Sequence, residues 1–521
     1  MKYNVIDYDV SLIQQKYQVN EMVAKALVYN HLEDWQIQQV LAPTLQYQIN
    51  EAPALLKACD RIKQAQRNHE KVFIAGDYDA DGICATTIMK NTLDLLKIEN
   101  GYYIPDRFKD GYGLNPKIVQ MVKDKGYDLI ITVDNGIKAF EALQLAKQLD
   151  IEVIVTDHHI YDEEVDALVV HPDLMAKGFK GLCGAGVALQ VARVLIGEND
   201  INDVLAMVAT IGDIMELFNE NRTIVRKGLQ KIDHCLPIKA LLPNKQGINA
   251  QDIAFNVVPK LNSIARLDDE SNANVLVKYL LCQDPATINN VAKQIEAVNN
   301  KRKNISSKMA SEAMNKVNDD AFIVIEDDDF SEGIVGLVAG KIAKEYNKPC
   351  LVLTSVDDTY KGSGRSIKGF DMHAFFKDFD LASFGGHAQA VGLSVKKAQF
   401  AAFKDLIKKK MADVKITDTL EEAISLNSAQ ITLDNLSAFD RLEPFGQGFK
   451  KPLFYIDDHK IAKVDLLKEK YLKFNFHQGY EAICFNSRYK QIKNPNYIIG
   501  NLEINEFRAQ KNCCINIVDM E

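Results

Sequence analysis

A chain of 521 residues, 47% hydrophobic and 26% charged, has the make-up of a globular protein of roughly two to four domains. Its formal net charge of −9 excludes nucleic-acid binding by overall charge and leaves only local basic surfaces for that task. No stretch nears the roughly 18 consecutive apolar residues of a membrane span. "MKYNVIDYDV" lacks a secretory pattern, and nine scattered cysteines without a C-x-x-C pair fit reduced thiols, so the expected location is the cytoplasm, away from any membrane.

Residues 1–48 read as a helical N-terminal segment. From Lys71 the texture changes. "VFIA" stops at Gly76-Asp77, "YDLIITV" at Asp134, and "IEVIVT" at Asp157-His158-His159. Continuous β-branched runs of this kind predict strands buried on both faces, hence a parallel sheet. The helical patterns between them, Ile83 to Leu96 and Ala139 to Leu149, give a βαβ rhythm and an open, doubly wound, mostly parallel α/β domain over residues 49–285. Each run ends in acidic or imidazole side chains, at the sheet edge where such folds bind ligands.

Apolar residues Ile288, Val291, Ile295, Val298, Ile305 and Met309 then recur at helical spacing and predict a long linking helix over residues 286–320, with "KRK" from Lys301 as a solvated face. A second, smaller α/β domain is expected over residues 321–415, rich in glycine: "GIVGLVAGKIA", "KGSGRSIKG" and "FGGHAQAVGLSV". Short alternating strands over residues 416–521, such as "YLKFNFH" and "YEAICFN", predict a small β-barrel. In "KYLKFNFH", Leu472, Phe474 and Phe476 point inward on this reading. Tyr471, Lys473, Asn475 and His477 point outward, and an outward aromatic beside a lysine suits base stacking with backbone contact.

The chemistry is carried by "GDYDADG". Asp77, Asp79 and Asp81 alternate, and carboxylates held this close repel by kilocalories at low effective dielectric unless a cation lies among them. With Asp134, Asp157-His158-His159 and Asp213 in "ATIGDIMEL", the set is too large for turn and cap residues alone. Asp and His without Cys favour Mn²⁺ or Mg²⁺ over structural zinc. Five or six such ligands suit two ions about 4 Å apart, an arrangement used for phosphoester hydrolysis.

Asp157-His158-His159 resembles the signature of the DHH phosphoesterase superfamily, and Gly385-Gly386-His387 resembles that of its companion DHHA1 domain. Within the superfamily the likeness is to the RecJ family of single-strand-specific 5′→3′ DNA exonucleases, and it covers nearly all the chain beyond residue 50. "IPDRFKDGYGLN", "TVDNGI", "LCGAGVA", "EGIVGLVAGKIAKEYNKP", "GSGRSIKGFD" and "LEPFGQGFKKPLF" also carry it. The chain departs from the family pattern where Ser263 and Ala265 stand in "PKLNSIARL" and where Gly364 replaces the usual alanine. The resemblance implies that Asp79 and Asp81 each ligate a metal, that Asp134 bridges both ions, and that His158 and Asp213 complete the second site. Asp77 ligates or positions its neighbours. His159 lies beside the scissile phosphate, and Asp157 orients a histidine.

Substrate contacts are expected from Arg365 and Ser363, from Gly385, Gly386 and His387, from Asn262 and Arg266, from Arg107 and Lys109, and from Tyr471 and Lys473 on an OB-fold-like barrel. Glycine allows close approach of a phosphate and arginine grips it bidentately. A groove between the two α/β domains, narrower than a duplex, is the expected source of single-strand selectivity. The resemblance further implies a monomer working in recombination and repair beside a single-strand-binding protein and a helicase. Two other readings share the residues: a DHH oligoribonuclease or nucleotide phosphatase, whose chains are shorter and lack the barrel, and a RecJ-like replisome scaffold without catalysis, which would have eroded ligands.

Overall fold

The computed structural model describes residues 3–161, 163–244, 247–267, 272–416, 420–507 and 510–521. The chain forms two compact units. One comprises Met1–Ile104, Tyr112–Val258 and Leu420–Glu521, the other Pro105–Gly111 and Pro259–Thr419. The expected domain at 49–285 is thus divided, and most of it shares a unit with the C-terminal strands.

In the first unit the runs beginning at Val72 form a five-stranded, wholly parallel sheet. Its order is Asn100–Tyr103, Val72–Ala75, Leu129–Val133, Glu152–Thr156, Leu168–Val170. Val72–Ala75 and Leu129–Val133 are buried throughout, as strands covered on both faces must be. Helices Pro116–Asp124 and Phe140–Gln148 seal one face, with Ile118, Val119, Ala142 and Leu143 packed on Phe73, Ile130 and Val155. Helices Ala80–Leu95, Gly184–Ile196 and Asp200–Gly212, packed on one another, cover the other. Strand order reverses between Val72–Ala75 and Leu129–Val133. Open α/β sheets have their ligand crevice at such a switch point, beyond the strand C-termini.

An eight-stranded mixed sheet completes the unit: Tyr3–Ile6, Glu421–Ser425, Phe454–Ile456, Ile498–Phe507, Gln510–Met520, Glu481–Cys484, Tyr471–Phe476, Ile461–Leu467. The N-terminal segment, expected to be helical, therefore opens on a strand. Tyr3 to Ile6 run parallel to Glu421 to Ile424, and a four-residue strand with so distant a partner leaves no local period to read. Of the following helices, Glu21–Tyr29 and Asp34–Leu41 lend Met22, Leu27, Ile37 and Val40 to a core shared with Phe454, Phe474 and Ile515, and Ser11–Tyr17 packs Ile13 and Tyr17 at its margin. Leu472, Phe474 and Phe476 are buried and the residues between them are not, as the alternation predicted.

Arg222 joins these two layers. It is fully buried on helix Asn219–Gln230 and donates hydrogen bonds to the carbonyls of Leu442, Glu443 and Pro444. Burial pulls its pKa down to about 9, helped by the neighbouring charge of Arg226. Arg222→Met keeps the volume but strips three carbonyls of their donor. The expected loss is about 3 kcal/mol in urea unfolding, since three bonds from a charged donor, worth about 1.5–3 kcal/mol each, are lost while the cost of burying the guanidinium is recovered. A change under about 1 kcal/mol would remove Arg222 from the joint.

In the second unit, helix Pro285–Met314 is started by Asp284, whose Oδ2 accepts from Thr287 N at 2.8 Å. It is shorter than the expected 286–320. Its buried stripe is Ile288, Ala292, Ile295, Asn299, Ser306, Met309, Ala310 and Ala313, with Val298 and Ile305 packed at the margin of the core. A five-stranded sheet follows in the order Ser383–His387, Ala390–Lys396, Thr359–Arg365, Cys350–Val356, Ile323–Glu326, in which only the last pair is parallel. Among the described residues no helix is long and apolar enough to cross a membrane, and all nine cysteines are free thiols.

Candidate metal centre

The acidic residues converge at the C-terminal rim of the parallel sheet. The chain leaves Val72–Ala75 through Asp77 and reaches Asp79, the N-cap of helix Ala80–Leu95, whose Oδ1 accepts from Asp81 N at 2.9 Å and Gly82 N at 3.0 Å. Asp81, in the first turn, is turned inward. Its two oxygens accept from Gly184 N and Ala185 N, each at 2.7 Å, so the N-terminus of helix Gly184–Ile196 holds that carboxylate.

Asp134 follows Leu129–Val133 with φ at +61°, a left-handed conformation that aspartate tolerates better than most residues. Asn135, fully buried, fixes this turn. Its amide donates to Ala75 O at 3.0 Å and Val133 O at 2.9 Å, and its oxygen accepts from Leu114 N at 2.9 Å. Two adjacent strand ends and the segment before helix Pro116–Asp124 are thereby tied together. Tyr112 donates to Asp134 O at 3.0 Å and stands 3.3 Å from His159 Nε2.

Asp157 accepts from the backbone of Ile137, His158 and His159, and its Oδ1 lies 2.8 Å from His159 Nδ1. It orients the neighbouring histidine. His171, a residue without a sequence motif, donates from Nε2 to His159 O at 3.1 Å. His158 points the other way: its Nε2 lies 3.1 Å from Asp134 Oδ1 and 3.7 Å from both Asp81 Oδ2 and Asp213 Oδ2. Asp213 arrives from the C-terminus of helix Asp200–Gly212.

Three overlapping groups of potential ligands result: Asp77, Asp79 and Asp134; Asp81, His158 and Asp213; Asp134, His158 and His159. Burial raises the Asp134 and Asp77 carboxyls well above the usual range, and their acidic neighbours add to it. Asp79 is raised by the same two causes, and Asp213 is pushed up to about 8 by burial and by Asp81 and Asp79. Burial lowers the pKa of His158, which favours the neutral imidazole a metal requires. For His159 burial works downward, but the Asp157 hydrogen bond and charge prevail and raise it. Asp157 itself is lowered, since His159 and the backbone donors outweigh its burial. Among the described residues, none donates a hydrogen bond to the buried Asp134 Oδ1 or Asp77 Oδ1. A divalent cation relieves both the repulsion and the missing partners, so the donor set fits Mn²⁺ or Mg²⁺.

Most of the expected substrate-binding residues lie in the second unit. Arg365 ends strand Thr359–Arg365 and donates from Nη1 to Ser363 Oγ at 2.6 Å and Gly364 O at 2.8 Å. Burial lowers its pKa, as does the nearby Arg107. Among the described residues no carboxylate stands at ion-pair distance from Arg365, whose guanidinium is held by Ser363 and Gly364. Lys109 is largely exposed, 4.0 Å from Asp106. Arg266 donates to Gly333 O at 3.4 Å, while Ser263, at the departure from the family pattern, is buried and donates to Lys260 O at 2.7 Å. Asn262 lies one turn earlier, on helix Val258–Ile264.

Gly385, Gly386 and His387 form an exposed hairpin strand. Gly386 has φ at +135°, and a Cβ there would fall 2.3 Å from Ala390 O. Tyr471 and Lys473 belong to the first unit, where Tyr471 packs edge-on against Phe485 and Lys473 pairs with Glu481 at 2.9 Å. Asn135, Tyr112, Gly184 and His171 were not singled out from sequence, although the first three lie inside "TVDNGI", "KDGYG" and "LCGAG".

Residues 71–212 match the DHH family N-terminal domain, residues 318–413 the DHHA1 domain, and residues 423–519 the RecJ OB domain. The single-stranded-DNA-specific exonuclease RecJ of Bacillus subtilis is 34% identical over 80% of this chain, which spans 55% of that protein's length. The Escherichia coli exonuclease of the same name is 32% identical over 80% of each chain. A crystal structure of RecJ in complex with Mn²⁺ from Thermus thermophilus superposes with a TM-score of 0.86 at 23% identity, covering 100% of this chain and 79% of that one, which shows a shared fold.

Proposed function

The chain belongs to the RecJ family, and from that premise we propose that it is a metal-dependent exonuclease degrading single-stranded DNA 5′→3′ to mononucleotides during recombination and repair. The observation that carries this reading is the rim of buried carboxylates around His158, with two carboxylate oxygens left without donors. Asp77, Asp79 and Asp134 would hold one ion and Asp81, His158 and Asp213 the other, with Asp134 offering oxygen to both. Bound Mn²⁺ or Mg²⁺ would supply an acidified water and positive charge for the phosphoryl oxygens.

The chain's own groups do the rest. Asp157 fixes the proton of His159 on Nδ1 and favours the charged ring, whose Nε2–H, 3.3 Å from the Tyr112 hydroxyl, would turn to donate to a phosphate oxygen. Tyr112 steadies that ring and the Asp134 backbone. Arg365, Ser363 and Arg107 would grip a phosphate of the strand, with Arg266, Asn262, Lys109 and the Gly385–His387 hairpin as further contacts, and Tyr471 and Lys473 would follow the strand on the OB domain. A single strand must first be exposed and covered in the cell, so we place the enzyme in the cytoplasm as a monomer beside a helicase and a single-strand-binding protein. Co-purification of either partner with the tagged chain checks that placement.

The test uses Mn²⁺ with strands labelled at either end, a duplex, and short oligoribonucleotides. Release of mononucleotides from the 5′ end of single-stranded DNA alone is the expected result, and chelation should abolish it. Cleavage confined to short oligomers would point to an oligoribonuclease, and no product from any substrate to a scaffold. Arg365→Ala is expected to raise KM roughly 10- to 100-fold with kcat nearly unchanged, the worth of one charged hydrogen-bonding group lost from ground-state binding. An unaltered KM with a fallen kcat would place Arg365 in the transition state instead.

A further inference from the structure

A cavity of about 430 Å³ lies within the first unit, beside Asp213, where the parallel-sheet domain meets the loop "EPFGQGFKK" of the OB domain. Its volume is within the range of about 300–1,000 Å³ common for ligand sites. The loop forming one wall is firmly placed. Arg222 donates to its carbonyls at Leu442, Glu443 and Pro444, and Leu217 N donates to Gln447 O at 2.9 Å.

Two large apolar side chains of the lining face water. Phe255 and Ile214 are each 70% exposed. Phe255 sits on a single π-helical turn, Ile253–Val257, a feature often retained at functional sites. Ile214 directly follows Asp213 with φ at +56°, a conformation that costs a β-branched residue about 1–3 kcal/mol and calls for a compensating role. Lys450 and Lys451 line the same cavity. Glu443 is its one lining carboxylate. It accepts from Phe445 N at 2.9 Å and faces Lys451, whereas Lys450 has no carboxylate at ion-pair distance among the described residues. Gln251, Gln447 and Asn501 add amide groups at the margin.

An exposed aromatic face, unneutralised positive charge and amides beside a candidate metal ligand call for a ligand that is flat, anionic and partly polar. We propose that this cavity is a base-stacking subsite, in which an unpaired nucleobase of the DNA strand lies on Phe255 and Ile214 while the flanking phosphate meets Lys450 and Lys451. The proposal rests on the reading that the substrate is single-stranded DNA, and adds a source of strand selectivity: a base within a duplex is already stacked on both faces and cannot offer one to Phe255. Stacking on an aromatic side chain is worth about 1–3 kcal/mol per base and is indifferent to sequence.

The full-length protein is titrated, in chelator so that nothing is cut, against a fluorescent oligothymidylate of about a dozen nucleotides. Phe255→Ala is expected to weaken binding roughly tenfold. Phe255→Leu should be as weak and Phe255→Trp should restore affinity, because a π-face and not bulk is required. The Lys450→Ala, Lys451→Ala double variant should flatten the dependence of log Kd on log salt by about 1. Phe255 is exposed, so an unchanged melting temperature certifies the fold of its variants. Wild-type affinity in Phe255→Ala, or in Phe255→Leu, overturns the subsite and leaves the surface to a protein partner. If single strands are degraded while Phe255→Ala binds normally, only the subsite falls. If the wild-type chain neither binds nor degrades single strands, the functional reading falls with it.

Discussion

Replacing Asp134 by asparagine is expected to abolish strand cleavage, by about 10³-fold or more, while leaving the metal-free protein at least as stable as the wild type. Catalytic ions are worth several kcal/mol of charge stabilisation. Asp134 belongs to two of the three ligand groups, and its Oδ1 has no hydrogen-bond donor of its own. A residue kept for stability would behave in the opposite way. Asp134 is buried among Asp81, Asp79 and Asp77, and in the absence of metal its burial and these neighbouring carboxylates favour its uncharged form.

The pH dependence gives the same result with its sign fixed. Asp77, Asp79, Asp134 and Asp213 have carboxyl pKa values raised by folding, Asp213 to about 8. The native chain therefore holds protons that the unfolded chain releases near pH 4. Their stabilisation is complete below about pH 4 and is lost as pH rises through the native values. The metal-free melting temperature should fall between pH 5 and pH 8, less steeply in Asp134→Asn, and millimolar Mn²⁺ should reverse the fall in the wild type only. Calorimetric scans with and without Mn²⁺ measure all three. A wild-type protein equally stable at both pH values, or a variant still stabilised by Mn²⁺, would contradict the proposed centre.

How the rim is built was only partly legible in the sequence. Strands such as Val72–Ala75 and Leu129–Val133 announce themselves by short runs rich in apolar and β-branched residues, and aspartates stand at or just past their C-terminal ends, because a strand's direction and end are local properties. The bracing groups are not local. Asn135 bonds to Ala75, 60 residues earlier, and Gly184 to Asp81, 103 residues earlier. Asparagine and glycine in loops are ordinary turn residues in any sequence, so only the packed structure separates a brace from a turn. Strand Tyr3–Ile6 was missed for the same reason, since its stability comes from a partner that follows the whole of both α/β domains. Division into compact units escaped too. Pro105–Gly111 carries Arg107 and Lys109 out of the first unit and into the second, a departure with no compositional mark.

Gly184→Ala is expected to be nearly as damaging as the loss of a ligand, although Gly184 presents no side chain to metal or substrate. A Cβ at this position would fall 2.4 Å from Asp134 Cβ and 2.5 Å from its Oδ1, far inside any tolerable contact. Neither side can yield freely. Asp134 is held by Tyr112 through its carbonyl and by Asn135 in the next position, and the helix that begins at Gly184 is held to Asp81 through the N–H groups of Gly184 and Ala185. The added methyl must therefore turn the Asp134 carboxylate away from His158 or lift the helix from Asp81, and either movement spoils one ligand group. Misplacement by about 1 Å costs on the order of 10²-fold in rate. The expected outcome is a 10²-fold or larger fall in kcat and weaker Mn²⁺ binding by calorimetry, with KM for long strands little changed because the arginines proposed to grip the strand are elsewhere in the chain. A glycine needed only to start the helix would give a lower melting temperature with undiminished Mn²⁺ affinity, and that result would detach Gly184 from the centre.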